Sequence, residues 1–207
     1  MQADRPKPDT GLSPAARQRL FAALNKECTL KLPESLLEEF IKTGMPVVCA
    51  KGEKIISEGE TDDSLYIIER GIMRCWHTED KKEVTQAFAQ TGTIILSFHS
   101  YYAGEPSPVN IEACCPSVLL KISKADYDSL VERDHLFARW CLRVSQCQLY
   151  HYELRHRVIR GDAYKRYQAL VRHRPEIVRN VPLKIIASYL GITPEYLSTC
   201  LLYTSPS

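Results

Sequence analysis

Residues 182–198 read Pro182-Leu183-Lys184-Ile185-Ile186-Ala187-Ser188-Tyr189-Leu190-Gly191-Ile192-Thr193-Pro194-Glu195-Tyr196-Leu197-Ser198. Two short helices packed at a steep angle need a small residue where they touch and a turn residue between them. Ala187 supplies the first and Gly191, four positions later, the second. Ile186, Leu190, Ile192 and Leu197 provide apolar contacts on either side of the turn. Thr193-Pro194-Glu195 is a helix start, with Thr as cap and Pro at the first helical position. The stretch therefore predicts a helix, a tight turn and a second helix. A plain helical hairpin would carry the same apolar pattern.

What precedes it separates the two readings. From Arg155 come Arg157, Arg160, Lys165, Arg166, Arg172, Arg174, Arg179 and Lys184, opposed only by Asp162 and Glu176. Acidic residues gather earlier, as in Glu58, Glu60, Asp62, Asp63, Glu79 and Asp80. A basic third on a chain of net charge +2 is the electrostatic footprint of a polyanion partner. On charge alone a solvated helix surface explains it as well. Joined to the turn, it points to a helix-turn-helix on double-stranded DNA, whose second helix meets base edges with its early side chains. The candidate DNA-binding residues are Lys184, Thr193, Pro194, Glu195, Tyr196 and Ser198.

Working upstream, Gly161-Asp162 breaks a long helical segment and caps a helix running to about His173, where Pro175 stops it. The long segment follows a capping start at Ser123-Lys124-Ala125-Asp126 and holds no Gly or Pro up to Arg160. Within it Leu136, Trp140, Val144, Cys147, His151, Leu154 and Val158 recur close to heptad spacing. A helix of that length outruns a small domain, so this stripe is expected to be a dimer seam. The other reading of the stripe is a helix lying on its own β domain.

Between Met45 and Ile122 the texture is β. Short apolar runs at 47–48, 55–56, 65–68, 72–76, 84–89, 94–98, 109–114 and 118–122 alternate with turns, and Gly marks several corners. Such a series reads as a sandwich or roll. Helices are expected from Ser13-Pro14 to about Asn25 and from Pro33-Glu34 through Ile41. The fold class is α+β: an N-terminal β-roll (jelly-roll-like, a double-stranded β-helix), a long dimerisation helix and a C-terminal helix-turn-helix of winged type, incomplete. The units expected are a tail at 1–12, the roll with its flanking helices at 13–133, the dimerisation helix at 134–160 and the helix-turn-helix at 161–198.

Composition excludes several classes. With 44% hydrophobic and 25% charged residues the chain reads as an ordinary globular protein. It has no apolar run near the ~20 residues of a membrane span and no secretory start, which places it in the cytoplasm. Eight cysteines stand without any C-x-x-C pair, so they read as free thiols packed as small hydrophobes, with no metal site. No nucleophile–base set, carboxylate pair or phosphate-cradling Gly loop converges, so an enzyme is not expected.

The order of β-roll, long helix, linker helix and helix-turn-helix resembles the Crp/Fnr superfamily of bacterial regulators. Gly52, Gly59, Gly71 and Leu65-Tyr66-Ile67-Ile68 are similar to its β-roll corners, and 161–167 and 182–198 to its C-terminal part. The resemblance implies a homodimer on a palindromic site, switched by an effector in the roll, with RNA polymerase as a further partner. Cyclic-nucleotide-binding members carry a Gly-Glu pair for the ribose and an Arg-Ser/Thr pair for the phosphate. Gly92-Thr93 and Ser107-Pro108 stand at those places, without the carboxylate or the guanidinium, and Pro108 lacks an N–H. With Phe98 and His99 they form the candidate effector pocket. No tight cyclic AMP binding and no cofactor is expected. Iron–sulfur members cluster cysteines near the N-terminus, where this chain has only Cys28 before Cys49. Haem-bearing members place Cys and His shortly after the Gly that matches Gly92, and here stands Leu96-Ser97-Phe98-His99. Cys75 and His77 share a strand face and make a weaker haem or metal candidate.

The family pattern stops after Ser198. Cys200 to Ser207 reads as translated sequencing-adapter sequence, which makes 199–207 an artefactual tail, or else as the end of a truncated protein. With no Arg past Ser198, the chain as written is expected to bind DNA weakly and salt-sensitively. The competing function is a sensor or protein-interaction module that has lost DNA binding.

Overall fold

The computed structural model describes residues 11–26, 29–159 and 163–202, apart from the side chains of 151, 154–159 and 200–202. The tails expected at 1–12 and 199–207 fall mostly outside them, as do Cys28 and the Gly161-Asp162 break. Helix α1 (Pro14–Lys26) starts where Ser13 accepts a hydrogen bond from the Ala16 N–H at 3.2 Å, and α2 (Glu34–Lys42) follows. Their apolar faces bury Leu20, Leu24, Leu37, Phe40 and Ile41.

Eight strands then form two four-stranded antiparallel sheets. The first, in order β1 (Met45–Cys49), β8 (Ser117–Ile122), β3 (Leu65–Arg70) and β6 (Ile94–Ile95), packs on α1 and α2. The second, in order β2 (Lys54–Ile56), β7 (Asn110–Ala113), β4 (Ile72–Glu79) and β5 (Lys82–Gln90), faces it. Between the sheets lie Ile56, Tyr66, Ile68, Met73, Ile111 and Leu119, an apolar filling with alternate residues turned inward. The β4–β5 hairpin closes through Asp80 and Lys81, both at positive φ, which gives the turn expected between the runs 72–76 and 84–89.

One expectation is corrected here. The run 94–98 is not a strand throughout: β6 ends at Ile95 and the chain goes over to a π-helical turn, His99–Ala103. Ser97 caps that turn, its Oγ accepting from the Ser100 N–H, and a polar cap pulls backbone hydrogen bonds out of the ladder. The helix before Pro175 ends at His173, as the sequence predicts, and Pro175 opens a new one. It occupies the first turn of a short helix, where its missing N–H costs nothing.

The helical remainder comprises α3 (Lys124–Arg133), α4 (His135–Ile159), α5 (Ala163–His173), α6 (Pro175–Asn180), α7 (Leu183–Leu190) and α8 (Pro194–Leu202). Ser123 caps α3 and Asp134 accepts from the Phe137 N–H to open α4. Trp140 of α4 is only 1% exposed and packs with Phe40 and Phe137 in the core against the first sheet.

Candidate functional site

The pair α7–α8 is built as its sequence dictates. Ile186, Ala187, Leu190 and Leu197 are buried in one cluster, and Ile192 packs against it. Gly191 ends α7 in the left-handed conformation at φ 66°, which no β-branched residue would accept. Its N–H donates to the Ser188 carbonyl and the Ile192 N–H to the Ala187 carbonyl, closing the helix end. Thr193 then caps α8, its Oγ1 accepting from the Tyr196 N–H at 3.2 Å. Tyr196 stands 51% exposed beside exposed Glu195 and Thr199, while Pro194 and Ser198 are half-buried. The hydroxyls of Ser198 and Thr199 donate back to the Pro194 and Glu195 carbonyls. Lys184 is exposed on the first turn of α7, and exposed Lys165, Arg172 and Arg179 stand on α5 and α6.

These helices are docked on the outer face of the second sheet. Phe88 of β5 meets Tyr189 of α7 with ring centroids 4.9 Å apart, and Ile72 and Cys114 join the same cluster. β5 is an edge strand, with backbone groups left to satisfy. Ser188 fills that role: its Oγ accepts from the Thr85 N–H at 2.9 Å and donates to the Glu83 carbonyl at 2.7 Å. Arg174 gives Nη1 to the Phe88 carbonyl at 3.1 Å. On the same sheet face lies an ionic cluster that periodicity does not signal. Arg74, 4% exposed, donates Nη2 to both oxygens of Glu112 and pairs with Glu83 at 2.8 Å; Trp76 Nε1 also donates to Glu112.

The candidate effector residues do not converge. Gly92 and Thr93 form the β5–β6 turn, bonded to the Ile68 backbone and pressed on α1, where a Cβ at Gly92 would stand 2.5 Å from the Ala23 Cβ. That close approach explains the glycine; the pair borders the cleft between the roll, α4 and the C-terminal helices, apart from Phe98 and His99. Ser107 is buried in a separate turn, its N–H bonded to the Glu60 carbonyl and its hydroxyl to the Val109 carbonyl. Its neighbour Pro108 contributes no N–H there. Phe98 and His99 edge a third place, an apolar cleft of about 540 Å³ between the π-helical turn and α4. His99 Nδ1 lies 2.9 Å from the Pro106 carbonyl, which ties the two turns together. Tyr101 and Tyr127 line this cleft with their hydroxyl pKa values raised, by burial first and then by the neighbouring Asp128 and Cys141. The buried residue the sequence reading passed over is Ser97. Its signal was a polar residue inside an apolar run.

The expected seam is corrected in its first half. Trp140 is in the intramolecular core, and Leu136, Val144 and half-buried Cys147 face the same body. The side chains of His151, Leu154 and Val158 lie outside the described residues. The apolar face that α4 turns to solvent instead carries Leu142 at 58%, Leu149 at 65% and Tyr152 at 59% exposure. With Ala138 and Ser145 these residues keep a 4-3-4-3 spacing.

Cys75 and His77 share a face, as alternation requires, and both meet Gln86. No group of three or more metal-ligating side chains occurs among the described residues. Burial pushes the Cys114 thiol up to about 12, so it stays protonated and inert at neutral pH. No described helix is long and apolar enough to cross a membrane.

Residues 46–134 match the sequence model of the family described as "Cyclic nucleotide-binding domain". No curated protein matches the sequence. Among solved structures, FixK2 from Bradyrhizobium japonicum superposes with a TM-score of 0.66 at 20% identity, over 77% of this chain and 83% of that one. CLP of Xanthomonas campestris, a c-di-GMP responsive global regulator, gives 0.64 at 14% identity, over 83% and 91%. The Catabolite Activator Protein of Thermus thermophilus gives 0.53 at 20%, over 83% of each chain. At these identities the likeness is one of fold.

Proposed function

We propose that this chain is a Crp/Fnr-type transcriptional regulator that binds a palindromic DNA operator as a homodimer, a reading supported by the match of residues 46–134 to the cyclic nucleotide-binding domain and by the fold shared with FixK2 and the Catabolite Activator Protein. The observation that carries the reading is the α7–Gly191–α8 unit. Its packing residues are buried, its turn is left-handed, and the first turns of α8 present Glu195, Tyr196 and Thr199 to solvent. A helix offered in this way fits the major groove. Exposed Lys165, Arg172, Arg179 and Lys184 supply phosphate contacts, which position the protein without reading sequence. Helix α4 supplies the dimer through the Leu142, Leu149 and Tyr152 stripe, which sets the two α8 helices a fixed distance apart. RNA polymerase is the further partner, and the cytoplasm the compartment.

The test is fluorescence anisotropy on a labelled duplex at low salt. Affinity is expected to fall steeply between about 50 and 200 mM salt, and absence of binding at the lower salt would overturn the proposal. The sensor does not take cyclic AMP in this reading. The residues between the sheets are apolar, and the Ser107-Pro108 turn offers neither guanidinium nor a second N–H. Calorimetry with cyclic AMP is expected to record no binding heat; a micromolar site would contradict it.

A further inference from the structure

A cleft of about 940 Å³ opens where the β-roll, α1, α4 and the α5–α7 helices meet. It adjoins the apolar cleft at the π-helical turn, with Ile94, Trp140, Val144 and Gln148 bordering both. Ile72, Phe88 and Trp140 give it an apolar lining. Lys26, Arg70, Arg166 and Arg174 stand around it, with Glu176 as the one carboxylate in its lining. Glu176 is already paired with Arg179 at 2.8 Å. Among the described residues Lys26 and Arg70 reach no carboxylate, and Arg174 spends an N–H on the Phe88 carbonyl instead. Among the described residues, Lys26, Arg70 and Arg174 thus face an apolar hollow whose one lining carboxylate is already paired, which leaves it short of negative charge.

We propose that this cleft binds a small organic anion with an apolar body, its acid group held by Arg70 and Arg174 and its body laid on Phe88 and Trp140. The volume is that of a small-molecule site, and such sites favour the meeting of domains. The occupant touches the roll, the long helix and the C-terminal helices at once. It therefore clamps the docked arrangement whose polar latch is Ser188 on the β5 edge. Neither the fit nor its test depends on the DNA-binding reading.

The probe is octanoate, titrated calorimetrically into the intact chain, with octanol as its neutral counterpart. Octanoate is expected to bind at one site per chain, with octanol about tenfold weaker or more, the loss of one charge-assisted contact. Arg70→Ala, at an exposed position, is expected to weaken octanoate by a similar factor, and Ala169→Trp, which fills the cleft, to abolish binding. Arg143→Ala, exposed on α4 away from the cleft, leaves it unchanged. Amide exchange at Thr85, whose N–H bonds Ser188, should slow when octanoate is bound. No heat at millimolar octanoate, equal affinity for octanol, or binding indifferent to both Arg70→Ala and Ala169→Trp overturns the proposal.

Discussion

Asp62 shows how single residues hold the roll together. Its carboxylate accepts from the Ser64 N–H at 2.8 Å, the Tyr66 hydroxyl at 2.7 Å and Lys121 Nζ at 3.1 Å, tying the loop before β3 to β3 and β8. Burial alone would raise its pKa, but the hydrogen bonds from Ser64, Tyr66 and Lys121 outweigh it and hold the carboxyl below its ordinary value. A pKa depressed in the folded state stabilises the protein above the unfolded value of about 3.9. That contribution is lost as pH falls through the lower folded value. Asp62→Asn is therefore expected to cost about 1–2 kcal/mol at pH 7, with the gap to the parent closing as urea denaturation is repeated toward pH 2. A gap independent of pH would show that the charge has no such role. The same scale explains Gly92, whose spacing suggested a ligand turn. A glycine can be demanded by a backbone approach as readily as by a phosphate, and sequence alone does not distinguish Ala23 from a ligand.

At the scale of elements the strands, both capped helix starts and the α7–α8 pair were legible, because each rests on local chemistry: alternation, Ser or Thr caps, a glycine at a left-handed turn. Helix α4 was legible as a helix but not in its orientation. It is apolar on two faces, one packed on the roll through Phe137 and Trp140 and one open through Leu142, Leu149 and Tyr152. Both recur at heptad spacing, so spacing alone does not say which of them packs on the roll. The helix runs roughly 37 Å at an ordinary rise, long enough for its far half to outreach the roll. The Arg74–Glu112–Glu83 cluster was not legible, since Glu112 reaches Arg74 across 38 residues of sequence. The α4 assignment predicts that Leu142→Arg with Leu149→Arg yields a monomer by light scattering while thermal stability of the chain holds. A dimer that survives both charges would move the interface elsewhere.

On the scale of the whole molecule, three bodies share contacts. The roll, the long helix and the C-terminal helices meet at the large cleft, and the latter are latched to the roll by Ser188, Arg174 and the Phe88–Tyr189 ring pair. Effector binding at either cleft would act on α8 through that docking, because a ligand shifts an equilibrium only by binding one arrangement better than another. Helix α8 is the proposed reader of DNA. The most direct test of that role is selection of duplexes from a random pool by the intact chain at low salt, followed by sequencing. Enrichment is expected of an inverted repeat whose half-sites lie about one helical turn apart, with the preferred bases altered by Glu195→Ala or Tyr196→Ala. A pool that stays random through repeated rounds would contradict that role and assign the C-terminal helices to a protein partner.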